Sequence, residues 1–143
     1  MKPDTLIPEP LNLTKLPVFG FNLPAGFPSP CGDHVQPRLN VHEFLVSHET
    51  STFFAQVMSE ALIDIGILPK DRVVLDRSLS ARPGDIVLAV VDGNFTIRIL
   101  QQKGNKAVLL PANEAFLPVI INENMEFEIW AVVTGVFRKV ERP

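Results

Sequence analysis

The sequence from residue 84 to residue 101 is GDIVLAVVDGNFTIRILQ, and it decides the fold. After Asp85 it continues as an apolar run to Val91, which is typical of a strand buried on both faces. Asp92-Gly93 separates this run from a second strand-like run at residues 94–101. Because both central positions of a two-residue hairpin turn favour a positive φ, the dipeptide predicts a β-hairpin.

The segments on either side of the hairpin extend the β pattern. Gly104-Asn105 predicts a second turn, and residues 127–140 predict one long strand or a bent pair with Gly135 as a bulge or kink. Further strands are predicted at residues 52–58, 72–76 and 106–110. The predicted fold class is therefore mainly β, with one or two short helices.

One helix is predicted where the β-rich body begins. Asn40 is a suitable N-cap for a short helix over Val41–His48. Val41, Phe44 and Leu45 fall on one face of that helix.

The first 30 residues form a separate, proline-rich region. Seven of the 13 prolines lie there, and each fixes φ and removes a backbone donor. We therefore predict an extended N-terminal arm at residues 1–38 and a β domain at residues 39–143. Because the arm contains several Leu and Phe residues, we expect it to lie against its own body or a partner.

Composition narrows the class of protein. At 143 residues the chain fits one domain with a real core, and 46% hydrophobic with 20% charged residues is ordinary for a globular protein. A net charge of −3 does not favour direct nucleic-acid binding. One cysteine excludes an internal disulfide, and no stretch resembles a signal peptide or a membrane span. We expect a cytoplasmic protein that needs no cofactor.

Four ordered features give a resemblance to the LexA/UmuD self-cleaving Ser-Lys peptidases and their twisted β domain. Together they extend over nearly the whole chain, from residue 19 to about residue 137. They are AGFPSP at 25–30, LIDIGI at 62–67, GDIV and VDGNFT within 84–96, and LPAN with Phe116 and Pro118 at 110–118. In that family the bond corresponding to Ala25-Gly26 is the cleavage site.

The arrangement is closest to the UmuD branch, since only 25 Pro-rich residues reach the Ala25-Gly26 bond and no DNA-binding domain is expected before it. The resemblance implies a homodimer whose arm is regulated by the RecA filament. It also implies work with an error-prone translesion polymerase in the SOS response to DNA damage.

The sequence departs from the family at both catalytic positions. The nucleophilic serine is replaced by Ala61, and the general-base lysine is replaced by Arg98. A buried lysine can be neutral and accept the serine proton, whereas an arginine stays protonated in proteins. We therefore expect no catalytic residues and a pseudo-enzyme, arising by natural divergence or by engineered inactivation.

Neighbouring residues leave two questions open. Ser59 is a substitute nucleophile in one interpretation and a turn serine bonded to the backbone in the other. Arg98 is expected either to pair with Glu60 or Asp64 in the old cleft or to extend its charge to solvent.

Other candidate groups are weaker. The spacing of Cys31, Asp33, His34, His42 and His48 matches no standard zinc pattern, so no metal site is predicted. The larger aromatic residues are expected in the core or a dimer interface; these are Phe53, Phe54, Phe95, Phe116, Phe127 and Trp130.

Three explanations compete for the retained Ala25-Gly26 bond: cleavage in trans by an active relative, uncut binding as an inhibitor, or an inherited remnant. The favoured function is a dimeric accessory subunit for an error-prone polymerase or for an active UmuD-type partner in a heterodimer. Alternatives are an active self-cleaving peptidase using Ser59 and a co-regulator that binds LexA-like repressors.

Overall fold

The computed structural model describes residues 40–142, together with the backbone of three short strands nearer the N-terminus. The chain divides into two compact units. One is Pro10–Ser47, and the other combines Met1–Glu9 with His48–Pro143. The predicted boundary between residues 38 and 39 stays a prediction, since residue 39 lies outside the described residues.

The described elements are overwhelmingly strands, which confirms the mainly β class. The strands are β1 (Leu6–Ile7), β2 (Phe19–Phe21), β3 (Val35–Arg38), β4 (Thr52–Gln56), β5 (Arg72–Asp76), β6 (Ile86–Val91), β7 (Asn94–Lys103), β8 (Lys106–Leu110), β9 (Val119–Ile120) and β10 (Phe127–Phe137). One α-helix, α1 (Val41–Leu45), and two 3-10 turns, Glu49–Ser51 and Ile63–Ile65, complete the described elements.

The larger unit is built on an antiparallel sheet with strand order β1-β4-β5-β10-β6-β7-β8-β9. The β6–β7 hairpin forms as predicted, with Val91 opposite Asn94. Its turn residues have positive φ, 49° at Asp92 and 81° at Gly93. The hairpin turn therefore has the positive φ at both central positions that the Asp-Gly dipeptide predicted.

Strand β10 is a single central strand between β5 and β6. Its register against β5 shifts between Val133 and Gly135, which confirms the predicted irregularity at Gly135. A second shift lies between Ile129 and Ala131, against β6. With these two irregularities, β10 pairs with both β5 and β6 as one continuous strand and not as a bent pair of strands.

The sheet buries apolar side chains on both faces. Leu88 of β6 belongs to one core cluster with Leu75 and Ile97. Its neighbours Val87 and Ala89 belong to the other cluster, with Leu109. Because successive side chains of a strand point to opposite faces, this division confirms that β6 is buried on both sides.

The smaller unit contains α1 and the antiparallel pair β2–β3. Asn40 caps α1 as predicted, since its side chain accepts a hydrogen bond from the Glu43 N–H at 3.2 Å. The predicted helix length was wrong: α1 ends at Leu45, where Val46 turns to extended backbone. On the face that carries the apolar residues, Val41 is 49% exposed and Phe44 is 70% exposed.

No helix among the described residues has the length and apolar character needed to cross a lipid bilayer.

Candidate functional site

Ala61, which the sequence predicts to stand at the family's nucleophile position, lies fully buried in the turn that follows β4. Backbone hydrogen bonds join this turn to the end of β8. The Ala112 N–H donates to the Ala61 carbonyl at 2.7 Å, and the Asp64 N–H donates to the Ala112 carbonyl at 2.9 Å. The position of residue 61 is therefore held by backbone bonds and not by its own side chain.

Asn113 adds a side-chain link between the same two segments. Its amide donates to the Glu60 carbonyl at 2.9 Å, and its side-chain oxygen accepts from the Ala115 N–H at 3.0 Å. The sequence analysis included this asparagine only as part of the LPAN feature at residues 110–113. An asparagine that bonds its own backbone two residues on is a known turn signal, so the local half of its role could have been predicted.

Arg98, which the sequence predicts to stand at the position of the family lysine, lies on β7 opposite Val87. It is only 7% exposed, so the alternative in which its charge extends to solvent is wrong. Its Nη1 donates to the Ile97 carbonyl at 2.7 Å, and its Cζ lies 5.5 Å from the ring centroid of Phe116. A cation at this distance from an aromatic face is attracted by the ring.

The loop after β8 contacts both positions. Its Ala112 bonds the backbone at Ala61, and its Phe116 lies over Arg98. The structure therefore places Ala61 and Arg98 against one loop, and their identification as the former catalytic pair stays a prediction. Chemically, however, the alanine offers a methyl group, and the guanidinium donates hydrogen bonds without accepting a proton.

Ser59 behaves as a turn serine. Its Oγ accepts a hydrogen bond from the Ala61 N–H at 3.1 Å. This bond confirms the interpretation in which the hydroxyl serves the backbone. This bond uses Oγ only as an acceptor, but the hydrogen bonds of the described residues join Ser59 to no general base, which a nucleophilic hydroxyl needs.

The carboxylates of Glu60 and Asp64 are both exposed. Across residues 40–142, the ion pairs that the structure records join His48 to Asp76 and Arg138 to Asp71. The predicted cleft pairing of Arg98 with Glu60 or Asp64 is not one of them and stays a prediction.

Several predicted features fall outside the described residues: Ala25, Gly26, Cys31, Asp33 and His34. Within the part that is described, no three His, Cys, Asp or Glu side chains come together in a way that would hold a metal ion.

The aromatic residues largely meet the core expectation. Phe53 and Phe95 pack around Trp130, at centroid distances of 5.3 Å and 6.1 Å, and all three pack against the first core cluster. Phe127 packs against the second cluster. Phe116 is the exception of interest, since sequence reasoning did not place its ring over Arg98.

Two buried aspartates form networks that sequence reasoning also missed. Arg138 donates to both carboxylate oxygens of Asp71, at 2.6 Å and 2.7 Å, and this lowers the pKa of Asp71. At Asp76, burial acts to raise the pKa, but hydrogen bonds from Ser78, His48 and Ser51 outweigh it and hold the pKa at about 2. Arg138 lies 67 residues from Asp71, and His48 and Ser51 lie 28 and 25 residues from Asp76, so no local signal reveals these partners.

Comparison with known proteins gives consistent matches. The profile of the family described as Peptidase S24-like matches residues 17–134, a range that includes Ala61 and Arg98. Protein SamA of Salmonella typhimurium strain LT2 is 36% identical over 131 residues, covering 92% of this chain and 90% of SamA. Protein MucA of Escherichia coli is 37% identical over 120 residues, covering 83% of this chain and 82% of MucA. LexA repressor 2 of Pseudomonas syringae pv. tomato is 34% identical over 137 residues, covering 92% of this chain and 64% of the repressor.

Proposed function

The chain belongs to the Peptidase S24-like family of LexA- and UmuD-related proteins, and we propose that it is a UmuD-like protein of the SOS response that no longer cleaves itself. In this role it acts as a dimeric accessory subunit, either for an error-prone translesion polymerase or for an active UmuD-type partner.

The observation that supports inactivity is the chemistry of the two positions that meet the loop after β8. Self-cleavage needs an oxygen nucleophile and a neutral base that takes its proton. Ala61 has no oxygen, and Arg98 is a guanidinium that stays protonated. Because both groups are missing, we expect self-cleavage to be abolished and not merely slowed.

The contacts of Arg98 support the same proposal. A lysine becomes a base when burial lowers its pKa enough to remove its charge. Arg98 occupies the buried position but keeps its charge, which the Ile97 carbonyl and the Phe116 ring help to stabilise. These contacts suit a structural cation better than a group that exchanges a proton.

A self-cleaving peptidase that uses Ser59 is less well supported, because the Ser59 hydroxyl bonds the Ala61 N–H. A co-regulator of LexA-like repressors remains a second candidate. It is favoured by the 34% identity to LexA repressor 2 along 92% of this chain.

The first experiment measures cleavage between Ala25 and Gly26 by intact-mass spectrometry. The pure chain is incubated at alkaline pH, where a lysine base is more often neutral, and separately with an active UmuD-type protein and RecA filaments. We expect no cleavage of the chain alone. Cleavage of the chain alone would overturn inactivity, and cleavage only with the active partner would identify it as a trans substrate.

The second experiment identifies partners by capture from DNA-damaged cells with the tagged chain as bait. We expect an error-prone polymerase subunit or an active UmuD-type protein to be enriched over a capture from undamaged cells. Enrichment of a repressor without a polymerase would contradict the accessory role and support the co-regulator.

A further inference from the structure

A cleft of about 820 Å³ opens where β4 and β10 end and β5 begins. Its walls combine apolar and charged side chains, among them Leu68, Lys70, Arg72, Phe137, Lys139 and Glu141. None of its lining residues belongs to the Ala61–Arg98 site. It is therefore a separate surface that the family's chemistry does not use.

The rim of the cleft is cationic. Lys70, Arg72 and Lys139 are exposed there, against the single exposed carboxylate of Glu141. The charge of the buried Asp71 is already matched by Arg138. Among the described residues, neither Lys70 nor Lys139 forms an ion pair. A net positive rim on a chain with a net charge of −3 indicates a surface for a negatively charged partner.

The floor of the cleft is rigidly built. Arg138 bonds the Asp71 carboxylate and also the Gly66 carbonyl at 2.6 Å, which ties the chain after β10 to the loop before β5. The Asp71 carboxylate also accepts a hydrogen bond from the Leu68 N–H at 2.9 Å. A site held in place before binding loses less conformational freedom when a ligand arrives.

Lys70 itself is held in an unusual conformation. Its φ is +75°, a region that non-glycine residues rarely adopt, and its N–H donates to the Val57 carbonyl at 2.6 Å. Strained residues of this kind gather at functional sites, where the surrounding structure maintains them. Here the strain fixes the position of a lysine at the rim.

We propose that this cleft binds an acidic peptide segment of a partner protein, in which carboxylates flank an apolar side chain. Lys70 and Lys139 would take the carboxylates, while Leu68 and Phe137 offer apolar walls. The proposal does not depend on whether the chain cleaves itself or on which assembly it joins.

Two other occupants fit less well. A nucleic acid calls for a longer basic track than these few cations provide, and the chain as a whole is acidic. A second copy docked about a two-fold axis through the cleft would set each cationic rim against the same cations. An acidic peptide meets neither difficulty.

The test measures fluorescence anisotropy with a fluorescein-labelled peptide of sequence DELFDE, and with NQLFNQ as the uncharged control peptide. The native full chain should bind the acidic peptide, lose affinity as salt rises, and bind the control peptide at least about tenfold more weakly. Equal binding of the two peptides, or no binding of either, would overturn the proposal.

Two charge-reversal variants locate the binding surface. Lys70→Glu combined with Lys139→Glu should weaken binding about tenfold or more. The matched control, Lys103→Glu with Lys106→Glu, makes the same charge change on the exposed β7–β8 hairpin and should alter binding less than about twofold. Equal losses in the two variants would show general attraction to the protein surface and contradict a cleft site.

Lys70→Gly separates binding from folding. Glycine accepts the positive φ without strain, so this variant should weaken peptide binding while its thermal stability is unchanged or improved. Unchanged binding would contradict a role for Lys70. A labelled single-stranded oligonucleotide is tested in parallel. If it binds more tightly than the peptide, and the same lysine variants lose that binding, the ligand of the cleft is a nucleic acid and the peptide proposal is overturned.

Discussion

The Arg98 region and the strand ends around Asp71 and Asp76 both bury charged groups, but they hold them in different ways. The described contacts of Arg98 are a backbone carbonyl and an aromatic ring. The two aspartates instead collect hydrogen bonds from several side chains and N–H groups. The two aspartate networks therefore stabilise the fold at positions outside the predicted catalytic pair.

The backbone around Ala61 makes the same point. Bonds between Ala61, Ala112 and Asp64 use main-chain atoms alone. A change of side chain at position 61 therefore leaves the supporting bonds in place. Such a site can lose its nucleophile while the fold persists.

The largest effect is expected from Asp76→Ala. Asp76 accepts from Ser78 Oγ at 2.6 Å, from the Ser78 N–H at 2.8 Å and from Ser51 Oγ at 3.1 Å, and its other oxygen lies 2.7 Å from His48 Nδ1. Removing it leaves these donors without their acceptor, so the free energy of unfolding in urea should fall by about 3 kcal/mol. The control Glu123→Ala, at an exposed carboxylate, should cost less than about 0.5 kcal/mol. Equal costs would erase the distinction between the Asp76 network and an exposed carboxylate.

Acid unfolding tests the same network. The pKa of Asp76 is about 2 in the folded chain and 3.8 is its ordinary value, so the unfolded state binds the proton first as pH falls. The contribution of Asp76 is complete above about pH 4 and is lost as pH falls toward 2. Asp76→Asn should therefore flatten the decline of unfolding free energy over that range. An unchanged slope in Asp76→Asn would show that Asp76 is not the titrating group.

A smaller effect is expected at the loop that joins the two substituted positions. Asn113→Ala removes the bond to the Glu60 carbonyl and the bond from the Ala115 N–H. Because the loop is partly exposed and its backbone bonds remain, the free energy of unfolding should fall by only about 1 kcal/mol. A loss as large as that of Asp76→Ala would mean that the site region is as important to stability as the strand ends.

Lys70→Gly should have the opposite sign. The left-handed conformation at Lys70 costs a non-glycine residue roughly 1 kcal/mol, so glycine should raise the free energy of unfolding by about that amount. Lys70→Ala keeps the unfavourable φ and serves as the control. If both variants change stability equally, backbone strain is not the cause.

Much of the fold could be predicted because its signals are local. The Asp92-Gly93 turn, the two-faced burial of β6 and the irregularity at Gly135 each follow from a few adjacent residues. The position of Arg98 on β7 also followed from the hairpin. Local preference, however, overestimated the helix after Asn40. Local preference also did not reveal the hydrogen bond between His48 and Asp76, which are 28 residues apart. In the structure His48 has extended backbone and precedes a 3-10 turn.

The rest of the site depends on tertiary packing. The pairing of β2 with β3, the Arg138–Asp71 bonds and the Phe116 ring over Arg98 join residues that share no periodic pattern. The burial of Arg98 was equally undetermined, because an arginine on a strand can either extend to solvent or lie inside. Residue identity predicted which chemistry is missing, and the structure was needed to show what surrounds those positions.

The most direct test of the proposed loss of self-cleavage restores both catalytic side chains. Ala61→Ser with Arg98→Lys restores an oxygen nucleophile and a base that burial can hold neutral. Intact-mass spectrometry at alkaline pH should show cleavage between Ala25 and Gly26 in this double variant, and none in the native chain or in Ala61→Ser alone. Cleavage of the native chain would contradict the loss of activity. An uncut double variant, shown to be folded by its thermal transition, would contradict the assignment of Ala61 and Arg98 as the former catalytic pair.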